Sequence, residues 1–306
     1  MHPVVVREIN AHPLRNDYEE VRVKSRRTAL LIAFGMVVAS GITAEADAAV
    51  WVGASTGANA AGWSGAQSDI GGGKLTYRRS FDPTLRSSDK ANWRAAGSRH
   101  WYSAKPINND IRGYIDGKYD AELRALAKDL PAGTIFTVYH EPEDNMSGAT
   151  FNKVMRKTVA VVKAANPGVQ VWYAAMAYQW KTNSKGNVGT SAGWIDAARA
   201  ADGVSLDIYA SPGNAVKIQD DKGFKRWWDL IKVPSGKPWG ISERGISASH
   251  GEEKRIAILK DDWAFARERG AHHFLYWQNN NDGQWMLTTD SERAAFRAIA
   301  AQGRQR

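Results

Sequence analysis

Short apolar runs alternate along this sequence with longer segments in which apolar residues recur every three to four positions. The short runs are rich in β-branched and aromatic residues and end at polar, glycine or proline positions, which predicts buried strands. Strands that alternate with helices in this way are typical of α/β folds with a parallel sheet. Eight strands are predicted, over Val50–Ser55, Leu75–Phe81, Arg99–Ser103, Thr134–Glu141, Val169–Tyr178, Val204–Tyr209, Pro238–Glu243 and His272–Gln278.

The longer segments predict helices with recognisable ends. Leu123, Leu126 and Leu130 share one face of a helix that stops before Pro131. The stretch Gly57–Lys74 is rich in Gly, Ser and Ala and shows no clear helix. Five helices are predicted, over Asp120–Leu130, Thr150–Ala165, Phe224–Lys232, Glu252–Arg269 and Ser291–Ala301.

The pattern contains no linker, repeat or second domain. Eight strands in one continuous segment predict a single-domain (β/α)8 TIM barrel over residues 49–306. Such barrels typically take roughly 250 residues, which this segment supplies.

The N-terminal region has the pattern of an export signal. Lys24–Arg27 is followed by the apolar run Thr28–Ile42 and then by the small residues of Ala44–Ala49. This order is typical of a secretory signal peptide, and the apolar run is short for a membrane span. We therefore expect residues 1–48 to be an N-terminal extension with a signal peptide, and the protein to be secreted to the extracellular side without stable membrane insertion. A retained N-terminal anchor is the alternative, and Ser25–Leu31 partly resembles a twin-arginine signal, so the export route stays open.

Composition removes several classes of chemistry. The 306 residues include no Cys, so no disulfide, thiolate nucleophile or cysteine-based zinc site can form. The formal net charge is +9, and because acidic and basic residues balance within residues 1–48, this charge belongs to the body of the protein. A basic body suits an anionic surface, but no Lys/Arg cluster stands out. We expect a monomer with no nucleic-acid partner.

Two of the predicted strands end in a glutamate. The apolar run Ile135–Tyr139 leads into His140 and Glu141, and Pro142 ends the strand because proline cannot donate to the sheet. Glu243 ends the seventh predicted strand. Carboxylates at the C-terminal ends of barrel strands are typical catalytic groups. Glycoside hydrolysis with retention needs a carboxylic acid and a carboxylate roughly 5 Å apart, which strands four and seven can supply across a barrel mouth.

Motifs at the ends of four strands resemble those of clan A (β/α)8 glycoside hydrolases. His-Glu-Pro at 140–142 is similar to the strand-four motif of the clan, and a His before the acid/base Glu is the form of glycoside hydrolase family 26, the mannanase family. Ile241–Gly245 resembles the strand-seven nucleophile motif. Tyr209 is similar to the strand-six tyrosine that holds the nucleophile, and Trp277 to the strand-eight aromatic floor of the sugar site.

The resemblance implies a retaining, endo-acting glycosidase that cleaves a β-mannan-like, cell-wall or capsular polysaccharide and needs no cofactor. In it, Glu141 is the acid/base and Glu243 the nucleophile. One alternative is a catalytically silent barrel that binds glycan through an aromatic mouth. Another is a metal-dependent hydrolase or lyase built on His140 and the acidic residues after it, although this cluster lacks a ligand spacing such as H-E-x-x-H.

Further residues are expected to contact substrate. His140 can hydrogen-bond the substrate or the nucleophile, and Glu143, the rival acid, is expected to make a loop or substrate contact. Arg78 or Arg79 can orient the nucleophile, and the sequence leaves open which of them faces inward. Asn279–Asp282 supplies groups suited to sugar hydroxyls, or a turn. Five tryptophans in predicted loops or near strand ends can stack on sugar rings: Trp63, Trp101, Trp180, Trp277 and Trp285.

Overall fold

The computed structural model describes residues 49–56, 60–86, 99–181, 188, 192–279 and 284–305. Within these residues, eight parallel strands pair in chain order and close into a barrel, which confirms the predicted (β/α)8 fold. The strands are β1 (Trp51–Ser55), β2 (Tyr77–Asp82), β3 (Arg99–Ala104), β4 (Ile135–Val138), β5 (Gln170–Met176), β6 (Gly203–Ala210), β7 (Trp239–Ile246) and β8 (His273–Trp277).

The helices of the described residues include all five that the sequence predicts. They are α1 (Ala60–Ala66), α2 (Ile111–Asp116), α3 (Asp120–Asp129), α4 (Gly148–Ala165), α5 (Ala192–Ala200), α6 (Lys222–Trp227), α7 (Glu252–Glu268) and α8 (Asp290–Gln302). Helix α6 continues through a π turn at Trp228–Lys232 into one α turn at Val233–Ser235. Helix α1 was not expected within Gly57–Lys74. It continues into a π turn at Gln67–Gly71, and both form because Trp63, Ala66 and Ile70 are buried at helical spacing among the small residues.

The predicted signal segment, residues 1–48, lies outside the described residues, so export and cleavage stay predictions. In the part of the chain that the structure describes, no helix combines the length and the apolar character needed to cross a bilayer.

The N-terminal ends of the strands close the barrel with a floor of large side chains. Trp51, Tyr77 and Trp101 are almost fully buried in one inward-facing cluster. His273 packs against Trp101, with 4.8 Å between the ring centroids, and burial lowers its pKa well below the usual value. Trp101 therefore belongs to the floor, and Trp63 is buried in α1. Neither ring is free to stack on a sugar, in contrast to the expectation from sequence.

Over the paired stretch, Trp239–Ile246 of β7 contains one residue more than Val204–Ala210 of β6. The register moves from Ile241 opposite Leu206 to Glu243 opposite Asp207, so Ser242 is bulged. Strict alternation would turn either Ser242 or Glu243 away from the interior, whereas the bulge lets both face it. The strand also continues past Glu243, which lies within β7 rather than at its predicted end.

Candidate active site

Glu141 lies on a turn that follows β4 directly. The strand ends at Val138, before its predicted end, because Tyr139 and Glu141 adopt left-handed backbone conformations with φ of 51° and 53°. The amide of Glu141 donates to the carbonyl oxygen of Ala174 in β5 at 2.9 Å. Non-glycine residues in such conformations cost about 1–3 kcal/mol each and cluster at functional sites. The turn brings the Glu141 carboxyl group into the barrel mouth.

Three carboxyl groups meet there, from Glu141, Asp207 of β6 and Glu243 of β7. One oxygen of each lies within 4.8 Å of one oxygen of each of the others. The structure thus brings together the two glutamates predicted from sequence and adds Asp207, which the sequence analysis did not single out. Asp207 precedes Tyr209 by two positions, so both face the interior. That spacing is the signal that identifies Asp207.

A buried arginine from β2 joins two of these groups. Arg79 Nη1 lies 2.7 Å from Asp207 Oδ1 and 3.0 Å from Glu243 Oε1. The side chains of Arg79 and Asp207 have no exposed surface. Arg79 is therefore the inward-facing arginine of the two that the sequence left open, and Arg78 alternates to the other side of the strand.

Two hydroxyl groups complete the arrangement on β6 and β7. Tyr209 Oη donates to Glu243 Oε2, and Ser242 Oγ donates to Asp207 Oδ1. The Tyr209 ring can approach β7 because Gly245 has no side chain: a Cβ atom there would lie 2.4 Å from Tyr209 Cδ1. The charge of Glu243 is thus stabilised by both a cation and a hydroxyl donor.

Burial raises the pKa of all three carboxyl groups. The pKa of Glu243 rises to about 8, first through burial and then through the charge of Asp207, against the opposing effects of Arg79 and Tyr209. Burial also raises the pKa of Asp207, which Arg79 and the Ser242 hydroxyl oppose. The pKa of Glu141 is raised well above its usual value by burial and then by the charges of Asp207 and Glu243.

The donors set the order in which these groups ionise. Glu243 and Asp207 each interact with Arg79 and a hydroxyl group, whereas among the described residues no hydrogen bond to the Glu141 carboxyl group is present. A proton on Glu141 reduces the repulsion among the three acids and removes none of those bonds. As the pH rises, Glu243 therefore loses its proton before Glu141, which leaves a carboxylate facing a carboxylic acid.

His140 stands at the rim beside Glu141. Its ring meets that of Phe81 edge to face, with 5.2 Å between the centroids. Burial lowers the pKa of His140 to about 3, and the charges of Arg79 and Lys105 add to this effect. The imidazole is therefore neutral at ordinary pH and can both donate and accept a hydrogen bond.

The carboxyl groups lie at the bottom of a cleft of about 710 Å³. Trp277, Trp285 and Tyr178 contribute aromatic surface to its walls, and Asn279 and Tyr209 contribute polar atoms. Tyr178 is 62% exposed at the rim. The residues at 280–282 of the predicted polar run lie outside the described part of the chain. An apolar wall with a few polar groups is typical of a small-molecule or sugar site.

Trp180 and Glu143 lie beneath the surface of this cleft. Both are fully buried, and Trp180 Nε1 donates to Glu143 Oε1 at 3.0 Å. The sequence analysis expected both to contact substrate, but neither side chain has surface to offer. The cause is the 3₁₀ turn at Ala177–Trp180, which places the tryptophan ring edge to face with Trp194 of α5, with 6.4 Å between the centroids, instead of extending it into the mouth.

The acidic groups are poorly arranged for a metal ion. Of the three that meet in the mouth, Asp207 and Glu243 already bind the cation of Arg79, whose charge opposes a second cation at the same place. The sequence analysis considered His140 and the acidic residues after it as an alternative metal site. These acidic residues are already engaged in other ways, because Glu143 is buried and Asp144 accepts a hydrogen bond from Gln179.

No protein-family model matches the sequence, and no curated protein matches it. Solved structures share its fold. An endo-1,4-β-D-mannanase from Thermotoga petrophila RKU-1 has a TM-score of 0.58 at 12% identity, over 82% of this chain and 99% of that one. An endo-β-1,4-mannanase of glycoside hydrolase family 26 from Cellulomonas fimi has a TM-score of 0.53 at 15% identity, over 83% and 70% of the two chains.

Structures from other glycoside hydrolase families match as well. A family 17 β-1,3-glucanosyltransferase from Rhizomucor miehei has a TM-score of 0.54 at 16% identity, over 80% of this chain and 94% of that one. Members of families 5, 39 and 53 are also similar. The fold is thus shared with glycoside hydrolases of several families, and the particular likeness to family 26 stays a prediction.

Proposed function

We propose that this protein is a retaining glycoside hydrolase that cleaves a polysaccharide by double displacement. The observation that carries the proposal is the pair formed by Glu141 and Glu243: one oxygen of each lies within 4.8 Å of one oxygen of the other, and donors from the described residues reach only the carboxyl group of Glu243. Retaining enzymes hold the two carboxyl groups about 5–5.5 Å apart, whereas inverting enzymes keep about 6.5–9.5 Å to admit a water molecule. The short separation favours direct attack by Glu243.

In the first step, protonated Glu141 gives its proton to the glycosidic oxygen as the bond to the leaving sugar breaks. The Glu243 carboxylate attacks the anomeric carbon and forms a glycosyl ester. Arg79 and Tyr209 favour this role because they hold Glu243 in place and stabilise its charge before the attack.

In the second step, Glu141 acts as the base. Ester formation removes the negative charge of Glu243, and that charge is one of the groups that raise the pKa of Glu141. The pKa of Glu141 therefore falls once the ester exists, which suits a carboxylate that takes a proton from water. Water attacks the anomeric carbon, Glu243 leaves, and the configuration is restored.

The substrate we propose is a β-mannan-like, cell-wall or capsular polysaccharide, cleaved in an endo manner. The support is the aromatic cleft with Trp277, His140 and Asn279 beside the carboxyl groups, and the presence of two endo-mannanases among proteins of the same fold. The signal-like pattern of residues 24–49 supports action outside the cell.

Early-time NMR of the product formed from a panel of polysaccharides tests the mechanism. We expect the first released anomer to have the configuration of the substrate bond. Inversion would show that Glu243 acts as a base and would overturn the proposal. Glycan binding without turnover would instead support a silent binding barrel.

A further inference from the structure

One buried carboxylate has no part in the chemistry described above. Glu143 is fully buried, two residues after Glu141, in the 3₁₀ turn Pro142–Asp144. Burial of a carboxylate is costly unless hydrogen bonds compensate it. Because Glu143 is buried at this cost two residues after the acid/base, we expect its side chain to have a role in the site.

Three donors to the Glu143 carboxyl group come from one direction. Tyr173 Oη donates to Oε1 at 2.6 Å, Trp180 Nε1 donates to the same oxygen at 3.0 Å, and the amide of Met176 donates to Oε2 at 3.3 Å. Tyr173 and Met176 belong to β5, and Trp180 to the turn that follows it. The carboxylate thus ties the segment after β4 to the C-terminal end of the next strand.

These hydrogen bonds lie where β4 and β5 have little regular strand pairing. Strands β4 and β5 pair over only two positions, Ile135 with Gln170 and Phe136 with Val171, near the barrel floor. Towards the mouth, the amide of Glu141 donates to the carbonyl oxygen of Ala174. Because Glu141 also has a left-handed backbone, its conformation needs support from neighbouring residues.

We propose that Glu143 is a positioning residue for the acid/base: it anchors the turn after β4 to β5, and so holds the Glu141 carboxyl group against the leaving-group oxygen. The inference rests on the proposed function, because it assigns Glu143 a task only in the step that Glu141 performs. It predicts damage to proton transfer and none to nucleophilic attack by Glu243.

The test compares substrates that differ in their need for an acid. The probes are the 2,4-dinitrophenyl and phenyl glycosides of the disaccharide released in the polysaccharide screen. Dinitrophenolate leaves without protonation, whereas phenolate depends more on it. In Glu143→Gln and Tyr173→Phe we expect kcat/KM to fall about tenfold or more for the phenyl glycoside and to change little for the dinitrophenyl glycoside.

Glu292→Gln is the matched control. Glu292 is also a buried carboxylate that accepts backbone amides, from Thr288 at 2.8 Å and Thr289 at 3.2 Å. It pairs with the buried Arg255 and caps α8, far along the chain from Glu141. We expect this variant to lower the melting temperature without changing the ratio of the two kcat/KM values. Tyr173→Phe keeps the aromatic packing and removes one hydroxyl group, so it remains informative if Glu143→Gln does not fold.

The outcomes separate this inference from the proposed function. If Glu141→Gln discriminates between the two glycosides and the Glu143 and Tyr173 variants lose activity equally on both, Glu143 has only a structural role and the inference is wrong. If Glu141→Gln itself does not discriminate, the acid/base assignment fails and the proposed function fails with it.

Discussion

The two sides of the barrel mouth hold their glutamates in different ways. On the β6–β7 side, Glu243 lies inside an eight-residue strand that pairs with strands on both sides, and a cation and a hydroxyl group reach its carboxylate. On the β4–β5 side, Glu141 lies on a left-handed turn after a four-residue strand. Hydrogen bonds there reach the backbone of Glu141 and the carboxylate of Glu143 instead.

This difference explains how two glutamates can have different protonation states in one site. The β6–β7 side supplies donors that favour a charged carboxylate at Glu243. Glu141 is partly buried without such donors from the described part of the chain and faces the negative charges of Asp207 and Glu243, which favours a neutral acid. Two groups whose environments set the order of their ionisation are the expected acid and nucleophile of a hydrolase. Four experiments test this contrast.

The largest expected effect follows from Glu243→Gln. The amide cannot attack the anomeric carbon, so kcat/KM should fall by about 10⁴-fold or more on every substrate, including the dinitrophenyl glycoside. Steady-state kinetics measure this, with Glu253→Gln on the exposed first turn of α7 as the control. Substantial activity on the dinitrophenyl glycoside would remove Glu243 from the mechanism.

Glu141→Gln should act selectively. We expect kcat/KM on polysaccharide to fall by about a thousandfold, because general acid catalysis is lost. The loss on the dinitrophenyl glycoside should be much smaller in the first step, and the alkaline limb of the pH profile for kcat/KM should disappear. An unchanged alkaline limb would assign the acid to another residue.

Arg79→Gln should reduce kcat/KM by about a hundredfold, because a preorganised cation is lost. Arg79 lowers the pKa of both Glu243 and Asp207. Its removal should therefore raise both values, and the acidic limb of the kcat/KM profile, which needs ionised Glu243, should move to higher pH. Arg78→Gln is the control, because it removes a neighbouring buried arginine that faces away from the mouth. An acidic limb that stays in place would contradict the contact between Arg79 and Glu243.

The smallest effect concerns stability. The pKa of Glu243 rises from the usual 4.5 to about 8 in the folded protein. The folded state therefore keeps a proton that the unfolded state has lost, and the stability contributed by this group, complete below about pH 4.5, disappears as the pH rises towards 8.

Glu243→Gln removes the ionisable group, so the variant does not lose this stability as the pH rises. Its melting temperature should exceed that of the wild type by a few degrees at pH 8 and by less at pH 4.5, since about 1 kcal/mol moves the melting temperature of a domain of this size by about 2–4 °C. Calorimetry at the two pH values measures the difference. The exposed Glu253→Gln variant should show none, and an equal shift at both pH values would contradict the raised pKa.

The sequence was sufficient to predict those features of the fold and the site that follow from the repeated pattern of apolar strands and helices. Eight apolar runs in alternation with helices predict the barrel, and the positions of Glu141 and Glu243 in the strand order predict that they face each other. Tyr209 and Trp277, which the resemblance to clan A motifs singled out, line the cleft together with these glutamates. The barrel and the facing glutamates follow from strand order and side-chain type, and the other two residues follow from short motifs at strand ends.

The sequence was insufficient where a residue depends on contacts from distant segments. The end of β4 is set by left-handed conformations at Tyr139 and Glu141, which no glycine or asparagine marks. Asp207 becomes part of the site only when closure of the barrel places Arg79 beside it. The burial of Trp180 depends on a carboxylate that accepts its indole N–H, and an isolated tryptophan after a strand gives no sign of this.

The bulge in β7 has a consequence for length mutations. Deletion of Ser242 would remove its hydrogen bond to Asp207 but restore regular pairing, with Glu243 still opposite Asp207, so the Glu243 carboxyl group would keep its direction. Insertion of a single residue into the regular part of the strand would instead reverse the faces of everything on one side of it. A gene for this chain can therefore lose the codon of Ser242 in one event and keep the orientation of Glu243, whereas a one-residue insertion or deletion in the regular part of the strand before Glu243 would turn that side chain outward.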